Sequence, residues 1–103
     1  MTSNRPLKSA ALAKGLAELP GWGHRRGALV KDFTFPGFKE AMAFMVRVGF
    51  EAEAMNHHPE WTNVYNSVAV RLNTHAAGGR VSALDIELAR RMDKIHGAAT
   101  AKL

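Results

Sequence analysis

The 103-residue chain contains no cysteine. A disulfide framework, a thiolate nucleophile and a zinc site with cysteine ligands are therefore all excluded. A chain without disulfides suits a reducing compartment, so we expect a cytoplasmic location.

Long apolar runs are also missing. The first sixteen residues are interrupted by polar, charged or proline residues, namely Asn4, Arg5, Pro6, Lys8 and Lys14. A signal peptide needs an unbroken apolar core and a membrane-spanning helix needs about 20 apolar residues. We expect neither, and we predict no membrane association.

Basic runs are short, although the formal net charge is +5. Arg25-Arg26 and Arg90-Arg91 are the adjacent basic pairs, and neither belongs to a run that alternates with aromatic residues. No nucleic-acid-binding motif is present. We therefore predict that nucleic acid is not a direct partner.

Hydrophobic residues make up 47% of the chain and charged residues 22%, which is the balance of a folded globular protein. The length predicts a single domain, residues 1–103, with flexible ends at 1–8 and 97–103. So short a domain buries a modest fraction of its surface, and oligomerisation would add to its stability.

Apolar residues at helical spacing predict three helices. The first covers about Ser9–Leu19 and the second Phe38–Met55. The stripe of the second helix, which we interpret as core, consists of Phe38, Met42, Met45, Val48, Ala52 and Met55. The third begins at Ser82, because Ser82 and Asp85 have the spacing of a capping box. Its predicted buried stripe is Leu84, Leu88, Met92 and Ile95.

Alternating apolar residues predict strands between these helices. Residues 28–35 form one strand, interrupted by Lys31, with a possible hairpin partner at residues 22–26. A second strand ends near Thr74, and residues 63–65 are its possible partner across a turn at Asn66-Ser67. The order helix-strand-strand-helix-strand-strand-helix predicts an α+β domain with a four-stranded antiparallel sheet and helices packed on one face.

Three of the five histidines, His57, His58 and His75, lie at the ends of predicted elements, where functional sites often collect. Imidazoles titrate near ~6.5, so a cluster of them offers a proton donor and a proton acceptor at neutral pH. Glu53 precedes His57 by four residues, so we expect this carboxylate to contact His57. The alternative interpretation of the His57-His58 pair is two ordinary surface turn residues.

The remaining candidates also have two interpretations. His75 could be a strand-end histidine bonded to a backbone carbonyl, or part of the site. Asp85 is a helix cap, and it could face the site beside His75 as well. Trp61 could be core or a flat wall for an aromatic ring.

Seven residues are spaced as in a known signature: Glu53, His57, His58, Pro59, Tyr65, His75 and Asp85. With the string His57-His58-Pro59-Glu60-Trp61, this pattern resembles the pterin-4a-carbinolamine dehydratase family from about Leu12 to Ile95. Two departures stand out. Gly78 to Ser82 carries one extra residue between His75 and Asp85, and Asn56 replaces an aspartate that many members have.

The resemblance implies dehydration of 4a-hydroxytetrahydropterin to quinonoid dihydropterin, without a metal or a cofactor. The catalytic residues that it implies are His57, His58, His75, Glu53 and Asp85. The substrate-binding residues that it implies are His57, His58, Pro59, Trp61, Thr74 and His75. It also implies a homodimer or a homotetramer.

Two other functions stay open. Three histidines and a carboxylate could bind zinc in a hydrolase, although adjacent histidines on an extended segment point to opposite sides. The same fold could instead serve as a non-catalytic dimerisation module. Metal analysis tests the first alternative, and pterin turnover tests the second.

Overall fold

A four-stranded antiparallel sheet and three helices form the two layers of the protein. The computed structural model describes residues 2–100. The elements in chain order are α1 (Ser9–Ala17), β1 (Gly23–Arg25), β2 (Ala28–Thr34), α2 (Phe38–Met55), β3 (Glu60–Val64), β4 (Ser67–Leu72), a 3-10 turn (His75–Ala77) and α3 (Ala83–Thr100). The order in the sheet is β1-β2-β4-β3. The predicted α+β class and element order are confirmed.

Two hairpins supply the four strands. β1 and β2 are joined by Arg26 and Gly27, whose positive φ angles of 51° and 80° suit a tight two-residue turn. β3 and β4 are joined by Tyr65 and Asn66. This second turn lies one residue before the predicted position, because Ser67 already pairs with β3 in the ladder.

One face of the sheet carries the core. In β4 the side chains of Val68, Val70 and Leu72 are buried while Ala69 is exposed, as the alternation predicts. Phe33 of β2 lies on the same inner face and packs edge-on or tilted against neighbouring aromatic rings. The helices therefore cover this face and leave the other to solvent.

Lys31 interrupts the apolar inner face of β2, and the structure shows why the interruption is tolerated. Its Nζ is 2.9 Å from Asp93 Oδ1 on α3 and lies 4.8 Å from the centre of the Phe33 ring. Trp22 Nε1 donates to the same carboxylate at 3.0 Å. The charge is thus paired, and the pair connects α3 to the first hairpin.

The bounds predicted for α2 are confirmed, but two of the six residues of its predicted core stripe are not in the core. Phe38 and Met42 are 49% and 41% exposed. The residues of α2 that are buried are Ala41, Phe44, Val48 and Ala52. Apolar residues occupy more than one side of this helix, so the spacing alone fits two stripes. Phe44 of the buried stripe packs against Phe33 of β2 and His96 of α3.

The other two helices agree with prediction near their starts. α1 ends at Ala17, two residues before the predicted end, and Leu19 is held by a turn hydrogen bond to Leu16. In the first turn of α3, Leu84 N donates to Ser82 Oγ at 3.2 Å and Ser82 N donates to Asp85 Oδ2 at 2.8 Å. These two reciprocal bonds form a variant of the predicted capping box, in which Ser82 Oγ accepts from the second rather than the third N–H of the helix.

The segments expected to be flexible are only partly described. Leu7 N donates to Val81 O at 2.9 Å, and Pro6 forms an isolated bridge with Ser82. At the other end α3 continues to Thr100, and residues 101–103 lie outside the described part of the chain. Within residues 2–100, the helices are too short or too polar to cross a bilayer.

Candidate active site

The end of α2 determines which way the two adjacent histidines point. Asn56 adopts the left-handed conformation, with φ 50° and ψ 43°. Its N–H donates to Glu53 O, and the N–H of His57 donates to Ala52 O, each at 3.0 Å. These are the two hydrogen bonds of a Schellman motif, in which asparagine is one of the few residues tolerated at the left-handed position. The helix therefore stops, and the chain turns before His57.

His57 points into the protein and pairs with a buried carboxylate. Its Nε2 is 2.6 Å from Asp85 Oδ1, and the residues are 8% and 0% exposed. The pair brings together the end of α2 and the first turn of α3, which lie 28 residues apart in the sequence. Of the predicted catalytic residues, these two form the buried centre of the site.

The second oxygen of Asp85 is also fully engaged. Oδ2 accepts hydrogen bonds from Thr74 Oγ1 at 2.7 Å and from Ser82 N at 2.8 Å. A buried charge is costly unless it is paired and hydrogen-bonded. The three donors around Asp85 provide that compensation, so the capping carboxylate also holds the His57 imidazole.

His58 pairs with Glu53 at the surface. The distance from His58 Nε2 to Glu53 Oε1 is 2.8 Å, and the two side chains are largely exposed. The prediction that Glu53 contacts His57 is wrong in its partner. Helical i, i+4 geometry ends at Met55, because Asn56 turns the chain. The side chain of His57 therefore points inward, and that of His58 lies against Glu53.

His75 lies in the 3-10 turn after β4 and is exposed. Asp85 contacts the neighbouring Thr74 rather than the His75 side chain itself. The loop that contains the extra residue turns at Gly78 and Gly79, which have φ angles of 72° and 77°. The loop closes on itself through Thr74 N donating to Arg80 O, so Asp85 still reaches His57.

The remaining signature residues lie along β3. Pro59 and Trp61 are half-buried, and Trp61 packs against the hydrophobic core opposite Val70. Tyr65 is 63% exposed in the turn at the far end of the hairpin. Since a strand rises about 3.3 Å per residue, Tyr65 lies roughly 17 Å from the start of β3. Tyr65 is therefore placed away from the two histidine pairs.

Sequence reasoning missed one part of the site. Ser82 Oγ is 2.6 Å from Thr74 Oγ1, and both residues are buried. Ser82 was predicted as a cap and Thr74 as a substrate contact, but nothing in their spacing indicated that they bond to each other. The sequence contained an indirect signal, because Thr74 directly precedes His75 and Ser82 caps the helix that contains Asp85.

An open groove away from these pairs runs between α2 and α3 and is lined mainly by charged side chains, including Arg47, Glu51 and Arg91. Arg91 donates to Glu87 there and holds the pKa of that carboxyl below its usual range. Within residues 2–100, no three histidine, aspartate or glutamate side chains are arranged to hold a metal ion.

Fold and site together define a class: a small α+β protein with two histidine–carboxylate pairs where α2 ends and α3 begins. The family model described as pterin 4 alpha carbinolamine dehydratase matches residues 5–95. The chain therefore belongs to the pterin-4a-carbinolamine dehydratase family.

Individual relatives agree with this assignment. A protein of Opitutus terrae named as a pterin-4-alpha-carbinolamine dehydratase is 60% identical over 86% of this chain and 92% of its own length. A similarly named Bradyrhizobium protein is 52% identical over 89% and 93%. The crystal structure of a Brucella melitensis protein, named transcriptional coactivator/pterin dehydratase, superimposes with a TM-score of 0.86 at 38% identity. The match covers 90% of this chain and 100% of the other.

Proposed function

We propose that this protein dehydrates a 4a-hydroxytetrahydropterin to the quinonoid dihydropterin and water. The observation that carries the proposal is the buried His57–Asp85 pair, 2.6 Å apart, in a member of this family. In the reaction the C4a–O bond breaks, the neighbouring ring nitrogen loses its proton, and a C=N bond forms. Protonation of the departing oxygen and removal of the N–H proton are paired acid–base steps, which suit a group of histidines.

In this proposal the residues divide into reacting, orienting and enclosing groups. His57, His58 and His75 exchange protons with the hydroxyl and the ring nitrogen, while Asp85 orients His57 and Glu53 orients His58. Pro59, Trp61 and Thr74 would border the pterin. The half-buried indole of Trp61 supports this arrangement, because a flat apolar side chain suits a planar ring.

The proposed setting is tetrahydropterin recycling in the cytoplasm. The substrate is the hydroxylated pterin that aromatic amino acid hydroxylases release, and the product then awaits reduction. The reaction as written neither oxidises nor reduces the pterin, so the histidines need no redox cofactor for it.

We also propose self-association, as a homodimer or a homotetramer, through one face of α2. Phe38, Met42, Val46 and Phe50 form an exposed row at intervals of four residues, which we call the α2 apolar row. Beside it, a Cβ added to Gly49 would meet no atom within 4 Å. Glycine inside a helix costs about 1 kcal/mol relative to alanine, and no contact within the described chain accounts for it. A closely packed helix from a second copy would.

The test of self-association uses matched glutamate substitutions. Phe50→Glu should reduce the mass measured by sedimentation, because a charge in an apolar helix interface is costly. Ala10→Glu, on the exposed side of α1, should leave the mass unchanged. A Phe50→Glu protein with the wild-type mass would exclude this face as the interface.

A non-catalytic binding module is the second candidate, because the similar Brucella protein is named a transcriptional coactivator as well as a pterin dehydratase. This candidate predicts a folded, self-associating protein without turnover. Stopped-flow measurement of the decay of synthetic 4a-hydroxytetrahydropterin, with and without protein, separates the two candidates. The proposed enzyme accelerates the decay in proportion to its concentration. A decay rate independent of the protein would leave the binding module as the function.

A further inference from the structure

We infer that the hydroxyls of Ser82 and Thr74 form a directed chain that holds Asp85, fixes the tautomer of His57 and makes His57 Nδ1 the atom that exchanges a proton with the substrate. The catalytic half of this inference rests on the proposed dehydratase function. The tautomer half does not, because it follows from hydrogen-bonding capacities alone.

The direction of this chain of hydroxyl hydrogen bonds follows from the number of protons that each group can donate. A hydroxyl has one proton to donate, and an ionised carboxylate can only accept. Thr74 Oγ1 therefore gives its proton to Asp85 Oδ2 at 2.7 Å. In the 2.6 Å contact between the two hydroxyls, Ser82 must then be the donor and Thr74 the acceptor. Ser82 Oγ in turn accepts from Leu84 N at the start of α3. Every hydrogen in the chain points toward the carboxylate.

Burial makes this direction stable. Ser82, Thr74 and Asp85 are 0%, 3% and 0% exposed, so water does not compete for their hydrogen bonds. Oδ2 is occupied by Thr74 and by Ser82 N–H, which fixes the rotation of the carboxylate and leaves Oδ1 for His57. Groups in such a network polarise one another in the same sense.

The imidazole must therefore donate from Nε2. A neutral histidine has one N–H, so the proton on Nε2 leaves Nδ1 as a bare acceptor. Nδ1 bonds to no side chain in the described part of the protein. When His57 gains a second proton, it gains it at Nδ1. Whether His57 acts as the acid or as the base, its exchanging atom is Nδ1, because Asp85 keeps Nε2 occupied.

Thr74 is then a positioning residue. Its hydroxyl donates to Asp85 and accepts from Ser82, and its backbone N–H and C=O are bonded within the 75–80 loop. The residue fixes a carboxylate and through it a histidine. Its effect on the pterin is transmitted through His57 rather than through direct contact of its hydroxyl.

The experiment records the ring nitrogens of His57 by proton–nitrogen NMR in the full-length protein, alongside kcat and KM for the pterin. Wild type should show the Nε2–H tautomer. Thr74→Val keeps the shape but removes one of the two donors that hold Asp85 Oδ2, so the carboxylate can rotate away from His57 and the tautomer should become mixed. We expect kcat to fall about tenfold or more with KM nearly unchanged, because a wrong tautomer places a proton on the exchanging atom. Thr74→Ser should restore both readouts.

Two further variants keep the test decisive. Thr62→Val makes the same chemical change on exposed β3 and should alter neither readout. If Thr74→Val does not fold, Ser82→Ala tests the same chain, since it removes the donor to Thr74 but keeps the backbone N–H that holds Asp85. It should produce a smaller shift of the same kind.

Three outcomes separate the possibilities. An Nδ1–H tautomer in wild type, or an unchanged tautomer and kcat in both Thr74→Val and Ser82→Ala, would overturn the inference. An Nε2–H tautomer that depends on Thr74 in a protein without pterin turnover would remove the proposed dehydratase function and the catalytic half of the inference with it, while supporting the tautomer half. The expected tautomer together with the expected loss of kcat supports both halves.

Discussion

The two histidine–carboxylate pairs contain histidines that are adjacent in the chain, and the pairs differ in burial more than in distance. His57 and Asp85 are 2.6 Å apart with side-chain exposures of 9% and 0%, whereas His58 and Glu53 are 2.8 Å apart with exposures of 59% and 79%. Solvent and salt reduce an exposed pair to about 0–1 kcal/mol. Removing one partner of a buried pair costs more, because the other partner is left buried without its hydrogen bond. Two pairs with similar distances therefore differ in how strongly the carboxylate holds its histidine.

The largest expected effect comes from making the same chemical change in both carboxylates. In Asp85→Asn the amide oxygen accepts from Thr74 and Ser82, so the amide N–H₂ faces His57 Nε2 and forces the proton onto Nδ1. We expect kcat to fall about 10²-fold or more. Glu53→Gln should lower kcat less than about tenfold, since solvent already surrounds that pair. Similar losses in the two variants would show that burial does not distinguish the pairs.

Removing the imidazoles is expected to have the next largest effect. His57→Ala and His75→Ala should each lower the dehydration rate about 10²-fold or more while the protein stays folded, because each loses a proton-transfer group. His24→Ala, on exposed β1, is the matched control and should retain the wild-type rate. Wild-type rates in folded His57→Ala and His75→Ala proteins would refute their assignment.

Substitutions of the two carboxylates should also differ in their effect on the free energy of unfolding, although this difference should be smaller than the difference in activity. Asp85→Ala removes the acceptor at the start of α3 and should cost at least about 0.5–2 kcal/mol in the free energy of unfolding, measured by urea denaturation. Asp85→Asn retains an acceptor and should lose less. Glu53→Ala should change the free energy of unfolding by less than about 1 kcal/mol. A larger loss in Glu53→Ala than in Asp85→Ala would reverse the comparison.

The smallest expected effect is that of chelation. In both pairs the histidine Nε2 is engaged by a carboxylate, and no proposed step requires a Lewis acid. Turnover should therefore survive exhaustive treatment with a chelator. Activity that disappears on chelation and returns with zinc would favour the hydrolase-like alternative.

Some of the fold was predictable because local signals agreed with one another. α2 has the predicted bounds, since Pro36-Gly37 precede it and an asparagine and a proline follow its end. Its buried face was not predictable to the same degree. Phe38 and Phe44 are equally apolar in the sequence, and only packing against Phe33 of β2 and His96 of α3 determines that Phe44 is buried.

The candidate site was likewise predictable only in part. The spacing selected His57, His58 and Asp85 as candidates, but it assigned Glu53 to the wrong histidine, because one left-handed residue changes the direction of the chain. The hydroxyl chain was missed for a different reason. Thr74 and Ser82 meet across a loop and hold Asp85, which pairs with His57 from 28 residues away, and no periodic pattern reports contacts of that kind.

Asn56 carries an evolutionary consequence. Its left-handed conformation assigns each histidine to its carboxylate, although none of its own atoms takes part in the proposed chemistry. The backbone geometry therefore limits which residues can replace Asn56. Glycine, asparagine and aspartate tolerate a positive φ, whereas β-branched residues do not. Aspartate at this position meets the same requirement. An exchange between the two is thus expected to be nearly neutral, and a valine at this position would exchange or abolish the partners of both histidines in a single step.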